Sequence, residues 1–140
     1  MYSGVNGYER YLETAVETAS PARLIVMLYD GAIRFVNEAA YAMRQRDYET
    51  QNTKLLRAQK ILAELISSLD FDKGGEIAEN LFRLYTYMYN RLVEANINDS
   101  VETLEHVTRL LSELREAWDT IATESEAQVN LPTARVALHG

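Results

Sequence analysis

A chain of 140 residues is long enough to bury one real hydrophobic core and too short for two. Its 47% hydrophobic and 25% charged residues are ordinary for a soluble globular protein, and the lack of cysteine removes disulfides, thiolate metal sites and cysteine nucleophiles. A formal net charge of −7 argues against nucleic acid, whose phosphates need clustered Lys and Arg, and suits a basic or apolar polypeptide partner.

The N-terminus, Met-Tyr-Ser-Gly-Val-Asn-Gly-Tyr-Glu-Arg, has neither the basic start nor the apolar stretch of a signal peptide. No run approaches the roughly 20 apolar residues that span a bilayer, so the chain reads as cytoplasmic, without membrane insertion. Residues 1–19 are polar yet carry Tyr2, Tyr8, Tyr11, Leu12 and Val16. That is too aromatic for a solvated arm and predicts a short helix or a docked segment.

Ser20-Pro21 marks a helix start, serine capping orphan amides and proline fitting the first helical position. The stripe that follows is Leu24, Met27, Leu28, Ala32, Phe35, Ala39, Ala42 and Met43, ending near Arg46, where basic residues suit the negative helix terminus. Asp47 caps a second helix with the stripe Leu55, Ala58, Leu62, Leu65 and Leu69. Asp70 to Gly75 read as a turn, because two adjacent glycines are costly inside a helix. A third helix carries Ile77, Leu81, Leu84, Met88, Leu92 and Ala95. It stops at Asn96-Ile97-Asn98, asparagine being at ease in a left-handed cap. Asp99 starts the fourth, with Glu102 completing a capping-box pattern, and Leu104, Val107, Leu111, Leu114, Trp118 and Ile121 share one face. Residues 124–140 lose this periodicity, include Pro132, and read as a flexible tail.

Four helices of about 20 to 26 residues joined by short turns pack antiparallel with their neighbours, and 3-4 spacing suits shallow left-handed crossings. The expected fold is all-α, an antiparallel up-down-up-down four-helix bundle over residues 20–123, preceded by the segment 1–19 and followed by the tail 124–140. Leu55, Leu62, Leu111 and Trp118 fall in its core. Residues 97–123 carry six acids against two bases, and residues 21–46 four arginines against two acids. This unevenness reads as complementary faces of packed helices.

Little in the sequence carries chemistry. A di-iron bundle needs Glu-x-x-His pairs, and Thr103 stands three residues before His106. His106 lies two residues past Leu104, roughly 200° round the helix, and is expected to face solvent. It raises a phosphorelay histidine carrier as a rival reading, but Glu105, Val107, Thr108 and Arg109 do not supply the surrounding lysine and glycine pattern. His139 sits in the tail. Gly74-Gly75 lacks the companions of a phosphate loop, and Glu113 with Glu116 reads as a solvated pair on an outward face. No catalytic residue, metal site or cofactor is expected, and the chain reads as a non-enzyme.

Nine tyrosines against three phenylalanines are a tilted aromatic usage, and Tyr85, Tyr87 and Tyr89 fall within one turn and a half of the third helix. They either cover the edge of the core with wet hydroxyls or rim a groove that grips another polypeptide. Gly31, mid-helix, costs ~1 kcal/mol relative to alanine and reads as a point of close helix approach. Asn52, Asn80 and Asn90 lie on helices near the groove edges, where amides can bond a peptide backbone or face water.

Several runs taken together resemble a known family. They are Thr18-Ala19-Ser20-Pro21, Met27-Leu28-Tyr29-Asp30-Gly31-Ala32-Ile33, Ala58-Gln59-Lys60-Ile61, Ser68-Leu69-Asp70 and Lys73-Gly74-Gly75-Glu76-Ile77-Ala78. Leu84-Tyr85-x-Tyr87-Met88, Leu92-Val93-Glu94-Ala95-Asn96 and Ala117-Trp118 complete the set, with Tyr11 ten residues before Pro21. In order and spacing, over residues 8–121, they resemble the flagellin-specific chaperones of the flagellar export system. The resemblance implies a partner, the C-terminal region of flagellin, held in hydrophobic grooves of the bundle. It implies a second, a component of the flagellar export gate, and a flagellar regulator as a further one. By the same resemblance residues 1–19 form a movable cap, with Tyr8 and Tyr11 in the export-gate segment. Leu28, Tyr29, Ile61, Tyr85 and Tyr89 are then expected to line or rim the client grooves. A general helical adaptor for another export client or regulator is the alternative.

Overall fold

The computed structural model describes residues 7–139, without the side chains of Tyr8 and of residues 129–139. Five helices occupy them: α1 Gly7–Thr18, α2 Pro21–Arg44, α3 Tyr48–Ser67, α4 Phe71–Asn98 and α5 Val101–His139. The start signals work through backbone amides. Ser20 Oγ accepts from the Arg23 N–H at 3.1 Å, Asp47 from Thr50 at 3.2 Å, and Asp70 from Lys73 at 3.0 Å.

Four boundaries differ from expectation. The Asp70–Gly75 turn is instead the first turn of α4, and only Gly75 leaves helical geometry, at φ 50° and ψ −124°. Side chains rarely adopt that backbone, so one glycine makes the break and Gly74 remains helical. α4 then passes Asn96 and Asn98 and ends at Asp99, whose φ of 52° is the left-handed cap. With Asp99 used there, the start of α5 moves to Ser100, which accepts from the Thr103 N–H at 3.2 Å. The backbone of α5 also stays helical beyond residue 123, through Pro132 to His139.

The chain divides into two units, residues 27–116 and residues 1–26 with 117–140. In the first, ties between helices fix an antiparallel order. Lys54 of α3 pairs with Glu38 of α2 at 3.2 Å, and Gln51 near the start of α3 donates to Asn96 near the end of α4 at 3.0 Å. Arg44 at the end of α2 reaches Glu105 early in α5 at 3.0 Å, while Arg115, further along α5, reaches back to Asp30 at 2.6 Å. The core is filled by Tyr29, Ala32 and Val36, then Leu55, Ala58 and Leu62, then Tyr85, Met88 and Leu92, then Leu104, Val107 and Leu111, all buried.

The buried stripes drift from the expected ones on three helices. On α2, Tyr29 and Val36 go inside while Leu28 and Phe35 stay half-exposed. On α4, Ala78 and Tyr85 are buried and Ile77 is 71% exposed. Apolar residues flank both sides of each stripe, so periodicity alone leaves the face open by about one residue. On α5 the same drift leaves Trp118 half-exposed and replaces Ile121 by Ala122. Eleven residues from Leu111 make about three turns, which puts position 122 on the stripe.

In the second unit, Arg23 of α2 grips α5. Its Nη1 donates to Asp119 at 2.7 Å, its Nε and Nη2 to the two Glu126 oxygens at 3.0 and 2.9 Å, and Nη2 also reaches Thr123 at 3.4 Å. This is the fork geometry that makes arginine–carboxylate pairs strong. The bonds from Glu126 and Asp119 raise the Arg23 guanidinium well above its usual range, and Arg23 lowers Glu126. Tyr11 and Val16 of α1 are exposed.

Candidate functional site

In the 27–116 unit, α3 has an open apolar groove on each side. The first, of about 230 Å³, lies against α2 and is lined by Leu28, Phe35, Arg57, Lys60, Ile61 and Glu64. Leu28 and Phe35 are seven residues apart, which is two turns, so they project from one face. Gly31 lies between them. A Cβ there would stand 3.2 Å from Ile61 Cδ1, so the glycine lets α2 and α3 approach closely at that level. The second groove, of about 280 Å³, is formed by Ala63, Ile66 and Ser67 of α3 with Thr86 and Tyr89 of α4. A third and wider depression, about 700 Å³, runs along α2 from Asp30 and Ile33 past Tyr41 to Thr50 and Lys54.

Cations surround the first groove. The Arg34 guanidinium lies 4.8 Å from the centre of the Phe35 ring, with Lys54 Nζ and the Arg57 guanidinium each at 5.7 Å. Guanidinium groups shed water more readily than ammonium groups and stack on aromatic faces, which suits them to such an edge.

Leu28 and Ile61 therefore meet in one groove, and Tyr89 lines the other. Tyr29 and Tyr85 line neither. Both are buried, with hydroxyl oxygens 2.5 Å apart, and they join α2 to α4 inside the bundle. The hydrogen bond between their hydroxyls helps two large rings to be buried, where both residues were expected to line or rim a groove. Tyr11 is 68% exposed on α1, and the side chain of Tyr8 lies outside the described residues. Sequence reasoning placed Phe35 in the core and passed over Arg57, Lys60, Ala63 and Ile66. The signal was present in Lys54, Arg57 and Lys60, three cations at three-residue spacing along one side of α3.

The remaining candidates are occupied locally. His106 is half-buried rather than solvent-facing, its Nε2 3.0 Å from the Tyr87 hydroxyl and the two rings edge to face. Asn52 accepts from Asn96 at 2.8 Å, and Asn80 from Arg83 at 2.9 Å. Glu113 and Glu116 are exposed. Among the described residues no three His, Asp or Glu are placed to hold a metal ion, and no helix is long and apolar enough to cross a membrane.

Residues 4–125 match the family described as FliS, flagellar protein FliS. The chain is 40% identical over 128 residues to the flagellar secretion chaperone FliS of Salmonella typhimurium, covering 90% of this chain and 95% of that one. It is 37% identical over 113 residues to the protein of the same name in Bacillus subtilis, covering 81% and 84%. The corresponding protein of Vibrio cholerae is 31% identical over 139 residues, covering 99% and 100%. The proteins so named are chaperones and not enzymes. A helical bundle with open grooves is in keeping with them, and the chain belongs to the FliS family of flagellar secretion chaperones.

Proposed function

We propose that this chain binds the C-terminal region of flagellin in the cytoplasm, keeps it from assembling, and presents it to the flagellar export gate. The observation that carries the reading is the pair of apolar grooves beside α3, lined by Leu28, Phe35 and Ile61 on one side and Ile66 and Tyr89 on the other. A client that is disordered when free orders on such a surface. It loses conformational entropy in doing so, which keeps affinity modest for the area covered and allows release. Covering an assembly segment blocks polymerisation without chemistry, so no cofactor is required. Leu28, Ile61 and Tyr89 contact the client, while Tyr29 and Tyr85 act from behind by holding α2 and α4 together. The segment carrying Tyr8 and Tyr11 serves as the movable cap and takes part at the export gate, and a flagellar regulator competes for the same bundle.

The test is calorimetric titration of the protein with the C-terminal region of its host's flagellin. One-to-one binding with a large negative heat-capacity change, weakened by Leu28→Asp and by Ile61→Asp, is the expected result. Absence of binding by a folded bundle overturns the reading and turns attention to another export client.

A further inference from the structure

We infer that the groove between α2 and α3 selects a helical client segment whose apolar stripe is flanked by aspartate and glutamate. This rests on the export-chaperone reading for the identity of the client, though not for the chemistry of the groove. Both walls of the groove are helices, Leu28 and Phe35 on α2 and Arg57 to Glu64 on α3. Helix interiors bond their own backbone groups, so the walls offer an extended peptide no backbone partners. A segment seated in an apolar groove of this kind meets its own backbone needs best as a helix. Leu28 and Phe35 are two turns apart, about 10 Å along α2, which matches two turns of a client helix with anchors at i, i+3 and i+7.

The charge of the rim then sets what flanks those anchors. The chain as a whole carries −7, yet Arg57 and Lys60 line this groove against Glu64, and Arg34 and Lys54, which line the neighbouring depression with Glu38, lie over the Phe35 ring at its edge. Glu38 is engaged by Lys54. Arg34, Arg57 and Lys60 form no ion pair among the described residues, and two of them lie over the Phe35 ring. A segment with acidic flanks is repelled by most of this surface and attracted here, so charge steers it to the groove and fixes its register. Along α3 the cations precede Glu64, so the acidic flank lies toward Arg57 and Lys60.

The test uses the full chain and two synthetic helical peptides with the same leucines at i, i+3 and i+7, one flanked by glutamates and the other by lysines. Calorimetry at low salt is expected to show the glutamate peptide binding roughly tenfold tighter, as three exposed charge contacts together allow, with the preference fading at high salt. The triple variant Arg34→Gln, Arg57→Gln, Lys60→Gln, altering only exposed side chains, is expected to erase the preference while circular dichroism stays unchanged. Equal affinity for the two peptides, or a preference that survives the triple variant, overturns the inference. Flagellin's C-terminal region is titrated in parallel. If it binds wild type and triple variant alike at every salt concentration, the charge inference falls and the chaperone reading stands. If it fails to bind wild type while the glutamate peptide keeps its preference, the chaperone reading falls and the groove's selectivity stands.

Discussion

The hydroxyl oxygens of Tyr29 and Tyr85 lie 2.5 Å apart inside the 27–116 unit, with both rings buried, their centroids 6.3 Å apart and their planes tilted by 50°. One residue is on α2 and the other on α4, helices separated in sequence by the whole of α3. Their bond sets the height at which two non-consecutive helices meet. That height also governs the grooves, since Leu28 precedes Tyr29 in one wall and Thr86 follows Tyr85 in another.

A bond of this kind shows itself as non-additivity. Tyr29→Phe and Tyr85→Phe each remove one hydroxyl from a buried pair and are expected to cost ~1–2 kcal/mol. The double variant leaves two apolar rings where two hydroxyls faced each other, and its cost is expected to fall below the sum of the singles. Urea unfolding of the three variants measures this. Strict additivity shows that the two hydroxyls are not coupled.

Gly31 separates stability from function. Alanine in mid-helix is favoured over glycine by ~1 kcal/mol. The new Cβ meets only Ile61 Cδ1, the far end of a half-exposed side chain, at 3.2 Å. Ile61 can yield into the groove it lines. Gly31→Ala is therefore expected to hold or raise the melting temperature while weakening client binding by narrowing that groove. A loss of stability with unchanged binding shows that the helices, rather than Ile61, had to move.

The fold was legible because its helices have strong periodicity and distinct caps. Ser20 and Asp47 cap as their side chains suggest, and α3 buries Leu55, Ala58, Leu62 and Leu65 as spaced, whereas Asp70, read as part of a turn, caps α4 because the single glycine Gly75 makes the break. Faces were less legible where apolar residues sit on both sides of a stripe. Leu28 and Phe35 look as suited to the core as Tyr29 and Val36, and only packing decides between them. The same ambiguity hid the groove, since a groove residue and a core residue share hydropathy. Tyr85 and Tyr89, one turn apart, were indistinguishable in sequence. A hydroxyl partner 56 residues away takes Tyr85 inside and leaves Tyr89 at an edge.

Tyr11 offers a test of the N-terminal segment. At 68% exposure on α1 its side chain contributes little to packing, so Tyr11→Ala is expected to change stability by no more than ~0.5 kcal/mol. If the segment serves delivery, secretion of flagellin falls in cells carrying the variant while the purified protein still binds the flagellin fragment. A parallel drop in stability and secretion assigns Tyr11 a structural part instead.

Arg23 and Glu126 give the second unit a pH dependence whose sign follows from their shifts. Arg23, raised by its bonds to Glu126 and Asp119, stays charged throughout, so the group that titrates is Glu126. The Arg23 hydrogen bond lowers Glu126 below its ordinary value of 4.5. A carboxylate depressed in the folded state contributes stability that is present above its unfolded value and lost as pH falls through the folded one. Amide exchange of residues 119–128, corrected for its intrinsic pH dependence, is expected to hold steady from neutrality to about pH 4.5 and to rise below it. In Arg23→Gln the lowering of Glu126 is gone, so exchange should be faster near neutrality and should lack the further acid-induced rise. An acid rise of equal size in Arg23→Gln and wild type shows that this segment is held by something other than the Arg23 fork.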